Sequence, residues 1–207
     1  VPIRDISIGE CVELARELGR RIGSELGIPV YLYEYAATRP ERRNLAEVRR
    51  GGYEALKEAI ASDPDRAPDF GPAAVGKAGA VAVGVRNILI AYNVFLRTGD
   101  VEIARKVAAA VRYSSGGLAN VKALGLLVDG QAKVSMNLTD YTQTPLHRVV
   151  EMVRREAARY GVTVARSEVI GLIPQAALID AACWYLQIDD FSDDRLLETR
   201  LRATLPD

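Results

Sequence analysis

The sequence predicts an α+β protein, with a β-α-β-β-α-β unit in its second half. Two observations carry this. Between Asn87 and Ile170, short strands rich in β-branched residues alternate with two helices of apolar period near 3.6. Ahead of them, one long amphipathic helix is followed by a strand dense in Val, Leu and Tyr, "IPVYLYEYAA".

The elements follow in order. Ser7-Ile8-Gly9-Glu10 reads as a capping box, in which the Ser7 hydroxyl accepts from the Glu10 amide and the Glu10 carboxylate reaches back, so a helix starts there. Ile8, Cys11, Val12, Ala15, Leu18 and Ile22 keep helical spacing, and Gly27 fits just past the end. "IPVYLYEYAA" is the strand, with proline at its entry. A helix through Leu45, Val48, Tyr53, Leu56 and Ile60 comes next. The stretch "SDPDRAPDFGPAAVGKAG" then holds three prolines and three glycines between Ser62 and Gly79. Proline fixes φ and glycine admits φ > 0, so a long ordered loop is predicted, and such loops are often functional.

"AVAVGV" and "NILIAYNVFL" are strands, and Asp100 caps the helix "VEIARKVAAAVR". "VKALGLLVD" and "AKVSMNLTD" form a hairpin with its turn expected at Gly130-Gln131. Thr144 is the expected N-cap of the next helix, with Pro145 in its first position and Gly161 beyond its end. "VTVARSEVI" closes the set, and two helices follow, "PQAALIDAACWYLQ" and one from about Ser192. The order from Asn87 to Ile170 is that of the ferredoxin-like split unit.

Lys and Arg number 27 against 27 Asp and Glu. The balance holds within the first part as well, which argues against a nucleic acid or an anionic membrane as partner. Cys11 and Cys183 fall at apolar helix positions and are expected as buried thiols of a cytosolic protein. No apolar run approaches the roughly 20 residues needed to span a bilayer. No His, Cys and carboxylate cluster has the spacing of a metal site.

Candidate chemistry is sparse. The one histidine, His147, lies in a first helical turn, where a neutral imidazole could act as a base or simply pack near the cap. "GPAAVGKAG" lacks the Ser/Thr that follows the lysine of a phosphate-binding loop, but it could wrap a flat ligand or serve as a structural loop. Arg39, Arg42, Arg43, Arg49 and Arg50 cluster among Glu34, Glu41 and Glu47. They suit either an anionic guest such as a glutamate or folate tail, or local ion pairs on a solvated face. Asn93, Asn137 and Arg86 are polar residues in or at the ends of strands, placed to tie down loops or to face a cavity.

"PVYLYEYAA", "RRNLAEVRRGGYEAL", "PDFGP", "GVRNILIAYNVFL", "VSMNLTDYTQTPLHRVVE" and "SEVIGLIPQAALIDAA" run in order from Val1 to about Asp190. Together they resemble the formiminotransferase domain family. The resemblance implies an α/β sandwich of two ferredoxin-like subdomains, their sheets facing each other across a tunnel. Residues 1–86 would be the C-terminal part of an incomplete N-terminal subdomain, and 87–207 the C-terminal subdomain. The implied reaction moves the formimino group of N-formimino-L-glutamate to N5 of tetrahydrofolate, a co-substrate, in histidine degradation in the cytoplasm; some relatives handle a formyl group. The resemblance implies folate contacts through Gly71, Pro72, Ala73, Ala74, Val75, Gly76, Lys77, Ala78 and Gly79. Substrate-carboxylate contacts are expected from Arg39, Arg42, Arg43 and Arg86. Small molecules are the expected partners, and a homodimer is left open.

In the family, the catalytic histidine precedes the segment matching "VPIRDIS", so no catalytic residue is expected within these 207 residues. His147 belongs to a different motif, "TPLH". A general base contributes about 10²- to 10⁴-fold, so the chain alone is expected to be a truncated transferase with little or no turnover. The alternatives are a silent folate-binding module or a half-enzyme needing a separate N-terminal segment. Phe95 stands where the family commonly has asparagine, and Glu34-Tyr35 replaces the common pairing with a second acidic residue or glycine.

Overall fold

A computed structural model describes residues 6–204, and the chain divides into two compact units between Arg86 and Asn87. The secondary structure is a mixture of helix and sheet, as the α+β reading requires. No helix among the described residues is long and apolar enough to cross a membrane.

In the first unit, helix α1 (Ile8–Leu26) opens with the full capping box: Glu10 N donates to Ser7 Oγ at 3.2 Å and Ser7 N donates to Glu10 Oε2 at 2.8 Å. Gly27 ends it at φ 63°. Strand β1 (Val30–Glu34) pairs in parallel with β2 (Val81–Val85), Val30 opposite Val81 and Glu34 opposite Val85. Ala15 of α1 packs on Val30, Leu32 and Ala36, with Val12, Ile22 and Phe70 at the margin. The single helix expected from Leu45 to Ile60 is two helices, α2 (Leu45–Val48) and α3 (Gly52–Ala59). Gly51 and Gly52 take φ 80° and 70°, a left-handed conformation through which a right-handed helix cannot run. Residues 62–79 contain only a 3₁₀ turn at Pro64–Arg66 and isolated bridges.

The second unit runs β3 (Ile90–Leu96), α4 (Val101–Val111), β4 (Val121–Val128), β5 (Gln131–Leu138), α5 (Leu146–Ala158), β6 (Val164–Ile170). Its antiparallel sheet has the order β4-β5-β3-β6, the ferredoxin-like arrangement. Ile90, Val94 and Leu96 of β3, with Ala132, Val134, Met136 and Leu138 of β5, bury one sheet face against Val107 and Val111 of α4 and Val149 and Val153 of α5. Helices α6 (Gln175–Leu186) and α7 (Leu197–Thr204) follow, the latter later than expected because a 3₁₀ turn at Asp193–Arg195 precedes it.

Three local expectations shift. The hairpin turn is Asp129-Gly130, with Val128 opposite Gln131: both loop residues have positive φ, 50° and 76°, which a two-residue turn of the I′ type needs and which Asp and Gly tolerate. Pro145, not Thr144, is the N-cap of α5, and the buried Thr144 hydroxyl donates instead to the Ala119 carbonyl at 2.6 Å. Cys11 and Cys183 are only half-buried, since α1 and α6 leave apolar side chains such as Leu14, Leu18 and Leu186 exposed.

Candidate functional site

The glycine-rich loop 71–79 is largely exposed, but its entry is fixed rigidly. The side chain of Asp69, just ahead of it, is sequestered and accepts from three directions: the Leu32 amide at 2.8 Å, Arg42 Nη1 at 2.6 Å and the Thr38 hydroxyl. Arg42 Nη2 donates to the carbonyls of Asp65 and Ala67, and the guanidinium lies 5.0 Å from the Tyr31 ring centroid. Both side chains of the ion pair are 6% exposed. The carboxylate that Arg42 meets is therefore the chain's own. Arg39 donates to the Pro64 carbonyl at 2.9 Å, and Tyr31 OH to that of Arg66 at 2.6 Å. Gly71 follows at φ 84°, and a Cβ there would come within 2.4 Å of the Ile28 carbonyl oxygen. Gly23 of α1 is equally tight, with Gly71 N 2.6 Å from where its Cβ would stand. The arginine segment and the glycine-rich loop thus meet through the clamp at the loop's base. Arg43, Arg49 and Arg50 are exposed, Arg50 pairing with Glu47, and Arg86 is exposed at the end of the unit. Glu34 closes β1 in the left-handed region, at φ 54°.

The second group sits on the sheet face of the other unit, away from α4 and α5. Cross-strand register sets out its rows. Lys133, Phe95 and Arg166 lie side by side on β5, β3 and β6, and Ser135, Asn93 and Glu168 form the next row, with Leu126 and Leu124 of β4 beyond Lys133 and Ser135. Asn93, which the sequence singles out, is buried and donates to Glu168 Oε1 at 2.8 Å. Phe95 is 3% exposed and lies between two cations: Arg166 sits 3.6 Å from its ring centroid and Lys133 5.3 Å. The hydrogen bond from Asn93 holds the Glu168 carboxyl below the ordinary carboxylate range against partial burial, helped by Arg166 and Lys133. Asn137 faces Ala91 and Lys122 in the third row.

A β-bulge places Arg166 and Glu168 on this face: Leu96 pairs with Val164 but Phe95 with Arg166, leaving Ala165 extra. Sequence reasoning passed over Lys133, Arg166 and Glu168. The signal for Lys133 was present, because Gln131, Lys133, Ser135 and Asn137 alternate with the apolar side of β5.

Two family models match the chain: the formiminotransferase domain, N-terminal subdomain, over residues 1–86, and the formiminotransferase domain over residues 91–201. The chain belongs to the formiminotransferase family. Its relatives include a glutamate formimidoyltransferase of Thermoplasma acidophilum, 51% identical over 97% of this chain and 67% of the relative. One of the same name from Streptococcus pyogenes serotype M1 is 47% identical, covering 97% and 68%. The formimidoyltransferase-cyclodeaminase of Gallus gallus is 40% identical over 90% of this chain and 36% of its own length. Family membership makes the chain a transferase.

In this formiminotransferase chain His147 is walled in. It is 4% exposed, its ring stacks on Trp184 at 4.8 Å, and its Nδ1 has no hydrogen-bond partner among the described residues, although Asp180 Oδ2 lies 3.4 Å away. Burial pushes the imidazole below its ordinary value, Asp180 opposes this and Arg148 adds to it. The acidic neighbour invisible in the sequence is present, but it comes from α6, 33 positions away. Beside the histidine, Tyr185 OH donates to Glu151 Oε1 at 2.8 Å, tying α6 to α5.

Proposed function

We propose that the chain serves a glutamate formimidoyltransferase, in which the formimino carbon leaves the nitrogen of N-formimino-L-glutamate for N5 of tetrahydrofolate. The N5 proton is balanced by protonation of the departing glutamate amine. The similarity to proteins of that name along 97% of the chain carries this reading. Loop 71–79 suits a flat ring system, because its exposed backbone offers amides at close range while the Asp69 clamp holds its base still. Arg39, Arg43 and Arg86 are the proposed contacts for substrate carboxylates in the same unit, and Arg42 is their anchor. His147 takes no proton in this scheme, since its free nitrogen is enclosed by Trp184 and Asp180. The reaction belongs to one-carbon metabolism in the cytoplasm, as a step of histidine degradation.

The test is an assay of the full-length protein for L-glutamate released from N-formimino-L-glutamate. Release that requires tetrahydrofolate is the expected result. Tetrahydrofolate binding without release would make the chain a silent folate-binding module and overturn the transfer reading.

A further inference from the structure

The Lys133 side chain is 13% exposed, yet its ammonium makes no hydrogen bond among the described residues. The nearest carboxylate oxygen, Glu168 Oε1, is 3.8 Å away and already accepts from Asn93. An ammonium brings three donors, and here they are left for solvent or a ligand to fill. Across the Phe95 ring, the Arg166 guanidinium touches Glu168 only at 3.4 Å and keeps most of its donors unused. Two cations share one carboxylate, so the cluster carries one positive charge in surplus. It sits on a sheet face bordered by the exposed Leu124 and Leu126.

We propose that Lys133 and Arg166 form a binding subsite for a glutamyl carboxylate over the Phe95 ring, with Asn93 and Glu168 as positioning residues. A surplus of one charge matches a carboxylate better than a doubly charged phosphate. The pair combines a planar fork with a point charge, the two ways side chains grip such a group. Glu168 keeps the two cations apart and aligned. The subsite rests on the transferase reading for its ligand: both the formimino donor and the tail of tetrahydrofolate carry glutamyl carboxylates.

Calorimetric titration of the full-length protein with L-glutamate and with glutarate tests it. Lys133→Gln and Arg166→Gln, checked for native circular dichroism, should each weaken binding by about 10- to 100-fold, and Lys133→Arg should restore most of it. Glu168→Gln should lower the preference for glutarate over inorganic phosphate, a ratio that a merely structural role would leave unchanged. In the transfer assay, a rise in KM for N-formimino-L-glutamate alone assigns the subsite to the donor. A rise in KM for tetrahydrofolate alone, abolished when tetrahydropteroate replaces it, assigns it to the folate tail. Glutarate binding that is lysine-dependent without any transfer leaves the subsite standing and removes the transferase reading. Transfer with glutarate and L-glutamate binding unchanged in the variants, or neither ligand binding the native protein, overturns the subsite.

Discussion

Two charged clusters, one in each unit, illustrate opposite uses of the same chemistry. At the base of loop 71–79, the side chains of Arg42 and Asp69 are deeply buried and bond to each other and to further groups of the chain itself. On the open sheet face, Lys133, Arg166 and Glu168 are held by longer contacts, and donors remain unused. Charge alone does not separate a strut from a binding group; satisfaction does. The closed cluster should govern stability and the open one affinity.

Asp69→Ala gives the largest expected effect. It leaves a buried guanidinium unpaired and strips the Leu32 amide of its acceptor, for a loss of about 3–5 kcal/mol in urea unfolding. A loss below about 1 kcal/mol would break the contrast. Next comes Gly71→Ala, which forces a side chain into φ 84° and against the Ile28 carbonyl; about 2 kcal/mol or more should be lost. Gly76→Ala, where nothing lies within 4 Å, should stay within about 0.5 kcal/mol.

Smaller effects sharpen the same picture in the second unit. Because burial lowers the folded pKa of His147 from 6.5, the unfolded chain takes up that proton first as pH falls. Its contribution is full above about pH 6.5 and declines below that toward the folded pKa. The urea midpoint should therefore drop between about pH 7.5 and pH 5.5, and His147→Gln should flatten that slope. Lys133→Gln should cost less than about 1 kcal/mol, in contrast to Asp69→Ala.

Much of the fold was legible because its signals are local. The Ser7–Glu10 box needs four adjacent residues, and the strand and helix order of residues 87–170 follows from periodicity. The break at Gly51-Gly52 was missed because the apolar spacing from Leu45 to Ile60 continues across it, while two consecutive glycines in positive φ override that spacing. The clamp was illegible for a different reason. Arg42 and Asp69 lie 27 positions apart, and nothing near either distinguishes a buried pair from the surrounding surface charges. On β6, strict alternation would place Arg166 and Glu168 with Val164 toward the helices, and only the extra Ala165 turns them to the other face. The resemblance was legible through stretches of sequence, but the contacts within the candidate sites depend on register and packing.

The stacking of Trp184 on His147 has a practical consequence. Trp184 is the only tryptophan in the sequence and stands in the second unit. Its emission is an optical reporter of the seam between α5 and α6, whereas far-ultraviolet dichroism collects signal from the helices of both units. Denaturation curves from the two methods that coincide would mean the units melt together. Curves that part company would resolve the loop-bearing unit, which has no fluorophore of this kind, as a separate cooperative body.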